Sequence, residues 1–498
     1  MKLIKGAGVL LHPTSLPGNY GIGDLGQEAY KFVDFLNNSG QKYWQVLPFN
    51  PPGFGESPYQ AFSAFAGNPL LISPDKLIQD GLLEIKDIES IPQYSESIVE
   101  FEKARVYKDE LLRTAFKKFE ADKCNTYLNF EKDNILWLEN YSLFMALKNY
   151  FGGSSWNQWD KLVAKRDEAA LNRYRALLQD EIQYQKFLQF KFFSQWLELK
   201  EYTNLKGIKI IGDIPIFVAL DSSDVWANPH LFCLDEAQNP LNVAGVPPDY
   251  FSKTGQLWGN PHYDWARMEQ DGYKWWRQRF ITIFSLVDFV RLDHFRGFEA
   301  YWEIPFGEET AINGKWVKGP GESFFSALEK NFGEMPIIAE DLGIITSEVE
   351  QLKNKFGFPG MKILQFILED TTQELVLPLN FEYNSVVYTG THDNDTILGW
   401  FKKHSLEKNI VQKMLADNLG IYPNMNADEA CWRFIDLALQ SNSVIAIIPL
   451  QDILCLDSSA RMNYPGTLGN NWNWRFKKGV LTKEIETRLE QLVQAYNR

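Results

Sequence analysis

The residues of this chain best suited to chemistry are carboxyl groups that end short apolar runs. In Phe289-Val290-Arg291-Leu292-Asp293-His294, the two-residue period of a strand points Arg291 and Asp293 to one side and Val290 and Leu292 to the other. Arg291 can therefore hold Asp293 ionised, as a reactive group or as half of a structural ion pair. Glu340 follows the apolar run Pro336-Ile337-Ile338-Ala339 and has no cation beside it in sequence, while Asp393, next to His392, ends Val386-Val387-Tyr388-Thr389-Gly390. Two opposed carboxyls suit glycosyl transfer through an oxocarbenium-like transition state, and retention requires them about 5 to 5.5 Å apart. Asp293 suits the nucleophile. Glu340 suits the acid, because partial burial and a nearby like charge keep a carboxyl protonated. The residues alone leave that assignment open.

Such groups must be carried to one place by a scaffold. Eight β-rich runs end in polar or charged residues: GVLLH to His12, YWQVLPF at 43–49, IKIIGD to Asp213, DFVRLD to Asp293, PIIAED to Asp341, KILQF to Phe366, SVVYTGTHD to Asp393 and VIAIIPLQD to Asp452. Continuous Val/Ile/Leu runs alternating with helices predict a parallel sheet buried on both faces. Eight units predict an α/β chain folded as a (β/α)8 TIM barrel, whose chemistry sits on the loops after the strands. A doubly wound open sheet is the rival. The whole chain, 1–498, reads as a single catalytic barrel with inserted, mainly helical subdomains. The span 76–205 is too long for one crossover and contains amphipathic helices at 101–120 and 182–200. A second insertion, 219–288, carries a Gly-, Pro- and aromatic-rich loop at 245–260 suited to covering a site.

Composition narrows the partners. Fifty basic against 64 acidic side chains leave a net charge of −14, which argues against nucleic acid or an anionic membrane and favours a neutral ligand. The 16 Trp, 21 Tyr and 35 Phe can fill a core or stack on sugar rings. Cys124, Cys233, Cys431 and Cys455 lack metal or redox spacing and read as reduced thiols. No apolar run reaches the length of about 18 residues expected of a membrane span, and the start resembles no secretory signal, so a cytoplasmic protein is expected. Gly21-Ile22-Gly23-Asp24-Leu25-Gly26 matches a dinucleotide fingerprint by letter, but a Pro-Gly-Asn-Tyr turn precedes it and the stretch 41–46 has no acid. These glycines are expected to shape the loop after the first strand. His404, in a charged helical stretch, reads as a surface residue, and no histidine spacing predicts a metal.

The segments HPTSLPGNYGIGDLG (12–26), SPYQAFSAFAGNP (57–69), GDIPIFVALDSSDVWANP (212–229), GQLWGNP (255–261), VRLDHFRGFEAYWEIP (290–305), IIAEDLG (337–343), FPGMKILQF (358–366) and YTGTHDNDT (388–396) resemble those of the 4-α-glucanotransferases called amylomaltase or disproportionating enzyme, in the α-amylase clan. The resemblance implies a cofactor-free barrel that cleaves α-1,4-glucans or maltooligosaccharides with retention and passes the fragment to the 4-hydroxyl of glucose or another sugar. It places the nucleophile on Asp293, the acid/base on Glu340 and the transition-state stabiliser on Asp393, with Arg291, His392 and Asp213 around the reacting sugar. Tyr59, Ser57, Gln256, Trp258 and Asn463 resemble substrate-contacting positions; core packing for the aromatics and a turn for Asn463 are the competing readings. Two positions depart from the family pattern. Leu379 stands where His is expected and implies an altered contact near the donor site, whereas His262 replaces Leu and reads as a packing variant. A hydrolytic α-glucanase of the same clan and a non-catalytic glucan-binding protein are the alternatives. Monomer and homodimer are both compatible with the sequence.

Overall fold

The eight apolar runs are strands, and they pair in parallel. The computed structural model describes residues 3–119, 125–248, 252–369, 376–406 and 410–498. In chain order the strands are β1 (Gly6–Leu10), β2 (Tyr43–Gln45), β3 (Lys209–Pro215), β4 (Asn242–Val246), β5 (Gln256–Pro261), β6 (Phe289–Asp293), β7 (Ala300–Pro305), β8 (Lys315–Lys318), β9 (Ile337–Ala339), β10 (Gly360–Ile363), β11 (Ser385–Tyr388) and β12 (Ile445–Pro449). One sheet has the order β10-β11-β12-β1-β2-β3-β6-β9. Its ends approach each other: the Ala339 N–H at the close of β9 donates to the Pro359 carbonyl just before β10, at 2.9 Å. The result is a (β/α)8 barrel rather than an open doubly wound sheet. Its strands are buried on both faces, β1, β11 and β12 along their entire length, so their sequences show no polar alternation.

Strand ends differ from expectation where the backbone turns. The KILQF run leaves the sheet at Ile363, and Phe366 lies in the helix Leu364–Glu369. Asp452 lies on the short helix Leu450–Ile453 after β12. There it accepts from Thr389 Oγ at 2.5 Å and the Ile397 amide at 2.8 Å, binding the β11 loop to the neighbouring strand.

Between β2 and β3 run helices that include Phe101–Phe119 and Gln179–Leu205; residue 120 of the expected first helix lies outside the described residues. The long helix holds the loop after β2 in place. Gln189 accepts from the Gly67 amide (2.7 Å) and donates to its carbonyl (3.0 Å), and Gln195 does the same for Ser73 (2.7 and 3.2 Å). Buried amides satisfying both backbone groups of a residue fix that loop without an unpaired donor.

The stretch 245–260 is not simply a loop. Much of it is the β4–β5 hairpin, part of an antiparallel sheet ordered β5-β4-β7-β8; residues 249–251 lie outside the described set. Two of its strands come from beyond β6, so the sheet's hydrogen-bond partners are distant in sequence. Gly245 is required by close approach, because a Cβ there would sit 2.2 Å from the Gln256 carbonyl oxygen.

Other expectations are met or changed locally. Gly23 donates to the Thr14 carbonyl at 2.9 Å within the loop after β1, where a Cβ would meet the Pro13 oxygen at 2.0 Å. His404 is buried, 3.1 Å from Glu369 and against Trp400, because the inward face of its helix carries it under the surface. Leu379 is exposed in a turn just before β11, where the Pro378 carbonyl accepts from the Asn442 amide at 3.0 Å. That is the end of the barrel opposite the carboxylates, so the expected donor-site contact is not made. His262 is fully buried beside Tyr301 and Phe217. Burial pushes its pKa down to about 4. Cys233, Cys431 and Cys455 are free thiols, while Cys124 lies outside the described residues. Among the described residues no helix is long and apolar enough to cross a membrane.

Candidate active site

The site is built on one guanidinium. Arg291 on β6 is the cross-strand neighbour of Asp213 on β3; its Nη1 donates to both Asp213 oxygens (2.9 and 2.8 Å), and its Nη2 lies 2.8 Å from Asp293. Tyr59 donates its hydroxyl to Asp213 at 2.8 Å. The side chain of Asp213 is 0% exposed, that of Arg291 5% and that of Asp293 26%. Asp213 is thus an internal anchor, whereas Asp293 opens to the cleft. Burial raises the Asp213 carboxyl, and the bidentate guanidinium opposes that rise. Arg291→Met should strand Asp213 in a dry site and cost about 3–5 kcal/mol of folding stability. Urea unfolding measures this, and an unchanged midpoint would contradict the anchor.

Glu340 comes next to Asp293 by register. Leu292 on β6 faces Ala339 on β9, so the residues that follow, Asp293 and Glu340, leave neighbouring strands whose backbones lie roughly 4.8 Å apart. The Glu340 carboxyl accepts from the His294 amide (2.6 Å) and the Leu342 amide (3.0 Å). His294 presents that amide from a left-handed backbone, φ 54°. Burial pushes the Glu340 pKa up to about 8, with Arg291 opposing and the Asp293 charge reinforcing. A carboxylic acid at that value holds its proton at neutral pH.

Asp393 approaches from the loop after β11, its side chain 47% exposed. It lies 3.4 Å from His392 Nε2, and its carboxylate accepts from Asn463 Nδ2 at 2.6 Å. The Asn463 amide donates to the His392 carbonyl (3.1 Å), and Arg461 donates to the Asp393 carbonyl (2.8 Å). Burial lowers the pKa of His392, with Asp393 opposing. The Tyr59 ring stacks on the His392 ring, centroids 5.1 Å apart and planes 16° from parallel. Asp213, Tyr59, Arg291, Asp293, Glu340, His392, Asp393 and Asn463 are therefore joined by contacts and strand register.

The remaining expected residues make local contacts. Ser57 Oγ accepts from the Tyr59 amide at 3.3 Å, and Gln256 accepts from the Trp258 indole at 3.1 Å. Trp258 is half-buried on β5, edge-on to His294 at 4.9 Å. Three residues had escaped sequence reasoning. Gln60 donates to the Trp258 carbonyl (3.2 Å) and Asn260 (3.0 Å), tying the β2 loop to the hairpin. Arg461 braces Asp393, and Trp472 packs against both Tyr59 and His392. Their partners lie from 68 to more than 400 positions away, so no local spacing could mark them. Among the described residues, no group of three or more His, Cys, Asp or Glu is placed to hold a metal.

Comparison with known proteins bears on the chemistry this geometry can do. A family model described as 4-alpha-glucanotransferase matches residues 11–482. The 4-alpha-glucanotransferase of a Synechocystis species is 47% identical over 99% of this chain and 98% of its own length. That of Thermus thermophilus is 47% identical over 100% of both chains. Among solved structures, the amylomaltase of Streptococcus agalactiae in complex with acarbose matches at TM-score 0.94 and 40% identity, covering 99% of each chain.

Proposed function

This chain belongs to the 4-alpha-glucanotransferase family, and from that premise we propose that it moves glucan segments by a two-step retaining mechanism centred on Asp293 and Glu340. The observation that carries this reading is the register that makes them neighbours on β6 and β9. In the first step an Asp293 oxygen bonds to the anomeric carbon of the donor, the glycosidic C–O bond breaks, and Glu340 delivers its proton to the departing 4-oxygen. In the second, the 4-hydroxyl of the acceptor attacks that carbon, Glu340 takes the hydroxyl proton, and the Asp293–sugar bond breaks. Two inversions leave the α configuration unchanged.

Arg291 orients the nucleophile, while its Asp213 and Tyr59 contacts fix the guanidinium. Asp393, exposed to the cleft, would stabilise the positive charge that develops on the sugar ring. Tyr59 and Trp258 offer ring surface to sugars, and Gln256 and Ser57 lie beside them as hydrogen-bonding groups. The donors would be α-1,4-glucans and maltooligosaccharides, and the acceptors glucose or the same oligosaccharides.

Transfer competes with water at the second step. An acceptor held in place gains effective concentration over solvent, and the hairpin that Gln60 ties to the loop after β2 would restrict water. Incubation with maltotriose tests the reading: glucose together with maltooligosaccharides longer than the substrate is expected. Only shorter products would favour a hydrolase, and unchanged maltotriose a binding protein.

A further inference from the structure

We propose that Trp472 is a positioning residue of the donor site, holding the Tyr59 and His392 rings in the planes they present to the reacting sugar; this rests on the retaining reading above. Its indole touches both rings, with centroids 5.7 Å from Tyr59 and 5.8 Å from His392. The Tyr59–His392 stack is thereby backed on a side that neither residue's own loop supplies. The Tyr59 hydroxyl ends on Asp213, which holds the Arg291 guanidinium beside Asp293, and His392 lies beside Asp393, so a tilt of either ring is passed to a carboxylate of the site.

The backbone shows that this placement is imposed. Trp472 has φ 64° and Asn470 φ 56°, after Gly469 at φ 82°. Gly and Asn tolerate the left-handed region, but a bulky side chain there is an outlier that persists only when its surroundings over-determine it. Here the Trp472 amide donates to the Met462 carbonyl at 2.7 Å, and Asn471 joins the Tyr464 amide (3.0 Å) to the Thr467 carbonyl (3.1 Å). The segment 461–472 is thus cross-tied, with one end bonded to Asp393 through Asn463 and the other seating Trp472. One loop braces two sides of the donor site.

A double-mutant cycle on maltotriose transfer tests the proposal with Tyr59→Ala, Trp472→Leu and the combination. Trp472→Leu should lower kcat roughly 10- to 100-fold, as small misplacements of reacting groups do, with KM within about threefold, and Trp472→Phe should recover most of the loss. In the Tyr59→Ala background the same change should add less than about threefold, because residues acting as a unit are non-additive. Multiplying losses, or a Trp472→Leu kcat within about twofold of the parent with a lowered melting temperature, would assign Trp472 to the scaffold alone and overturn the proposal. Trp472→Met, nearer in volume, runs the same cycle should the leucine variant not fold. Asp293→Asn separates the two readings: an active variant fails the mechanism, whereas an inactive one with an additive cycle fails only the role of Trp472.

Discussion

Asp293→Asn should abolish transfer with the fold intact, lowering kcat by a factor on the order of 10⁵, as loss of a covalent nucleophile does elsewhere. The amide keeps the shape of the side chain but not the negative oxygen that must bond to the anomeric carbon. Folding should survive because the guanidinium of Arg291 keeps both of its bonds to Asp213, and Asp293 is the more exposed of its two carboxylate partners. Product formation from maltotriose and far-ultraviolet circular dichroism measure the two halves of this prediction. A fluorinated glycosyl fluoride, slow to turn over, should leave the parent protein heavier by one sugar, with the adduct on the peptide containing Asp293. A label on another residue, or full activity in the variant, would refute the assignment.

Glu340→Gln should remove the alkaline limb of the pH–rate profile. With its pKa pushed up to about 8 by burial, reinforced by the Asp293 charge, Glu340 carries the leaving-group proton at neutral pH. It loses that proton as pH rises through about 8, so the first step should slow above that value and not below it. The glutamine cannot deliver a proton at any pH, so turnover of maltotriose should fall by about 10²- to 10⁴-fold without that limb. A glycosyl fluoride needs little help in leaving, so the initial burst of fluoride release should persist in the variant, whereas its steady turnover by acceptor should not. An alkaline limb surviving in Glu340→Gln would place the titrating acid elsewhere.

These two carboxylates were legible in the sequence for a reason specific to parallel barrels. Mainly apolar runs carry the strands, and carboxyl groups at their ends stand at the mouth, as Asp293 does at the end of β6 and Glu340 just after β9. Strand ends were less legible: the apolar KILQF run crosses from β10 into a helix without any change in hydrophobicity. The hairpin at 245–260 read as a loop because its sheet partner β7 lies beyond β6, and glycines that permit close strand approach also mark turns. His404 read as exposed because its charged neighbours describe the other face of its helix.

By itself the amino-acid order marked eight parallel strands, the carboxyl groups near their ends and the side of β6 that Arg291 shares with Asp293, because strand period and continuous apolar burial are local properties of the chain. Only the tertiary structure decided that Arg291 divides its guanidinium between Asp213 and Asp293, that Asn463 binds Asp393, and that Trp472 backs Tyr59 and His392. Those contacts join residues from 70 to more than 400 positions apart, apart from the Arg291–Asp293 pair. Their geometry exists only once the strands have found their register and the burial it brings, which also raises the Glu340 pKa.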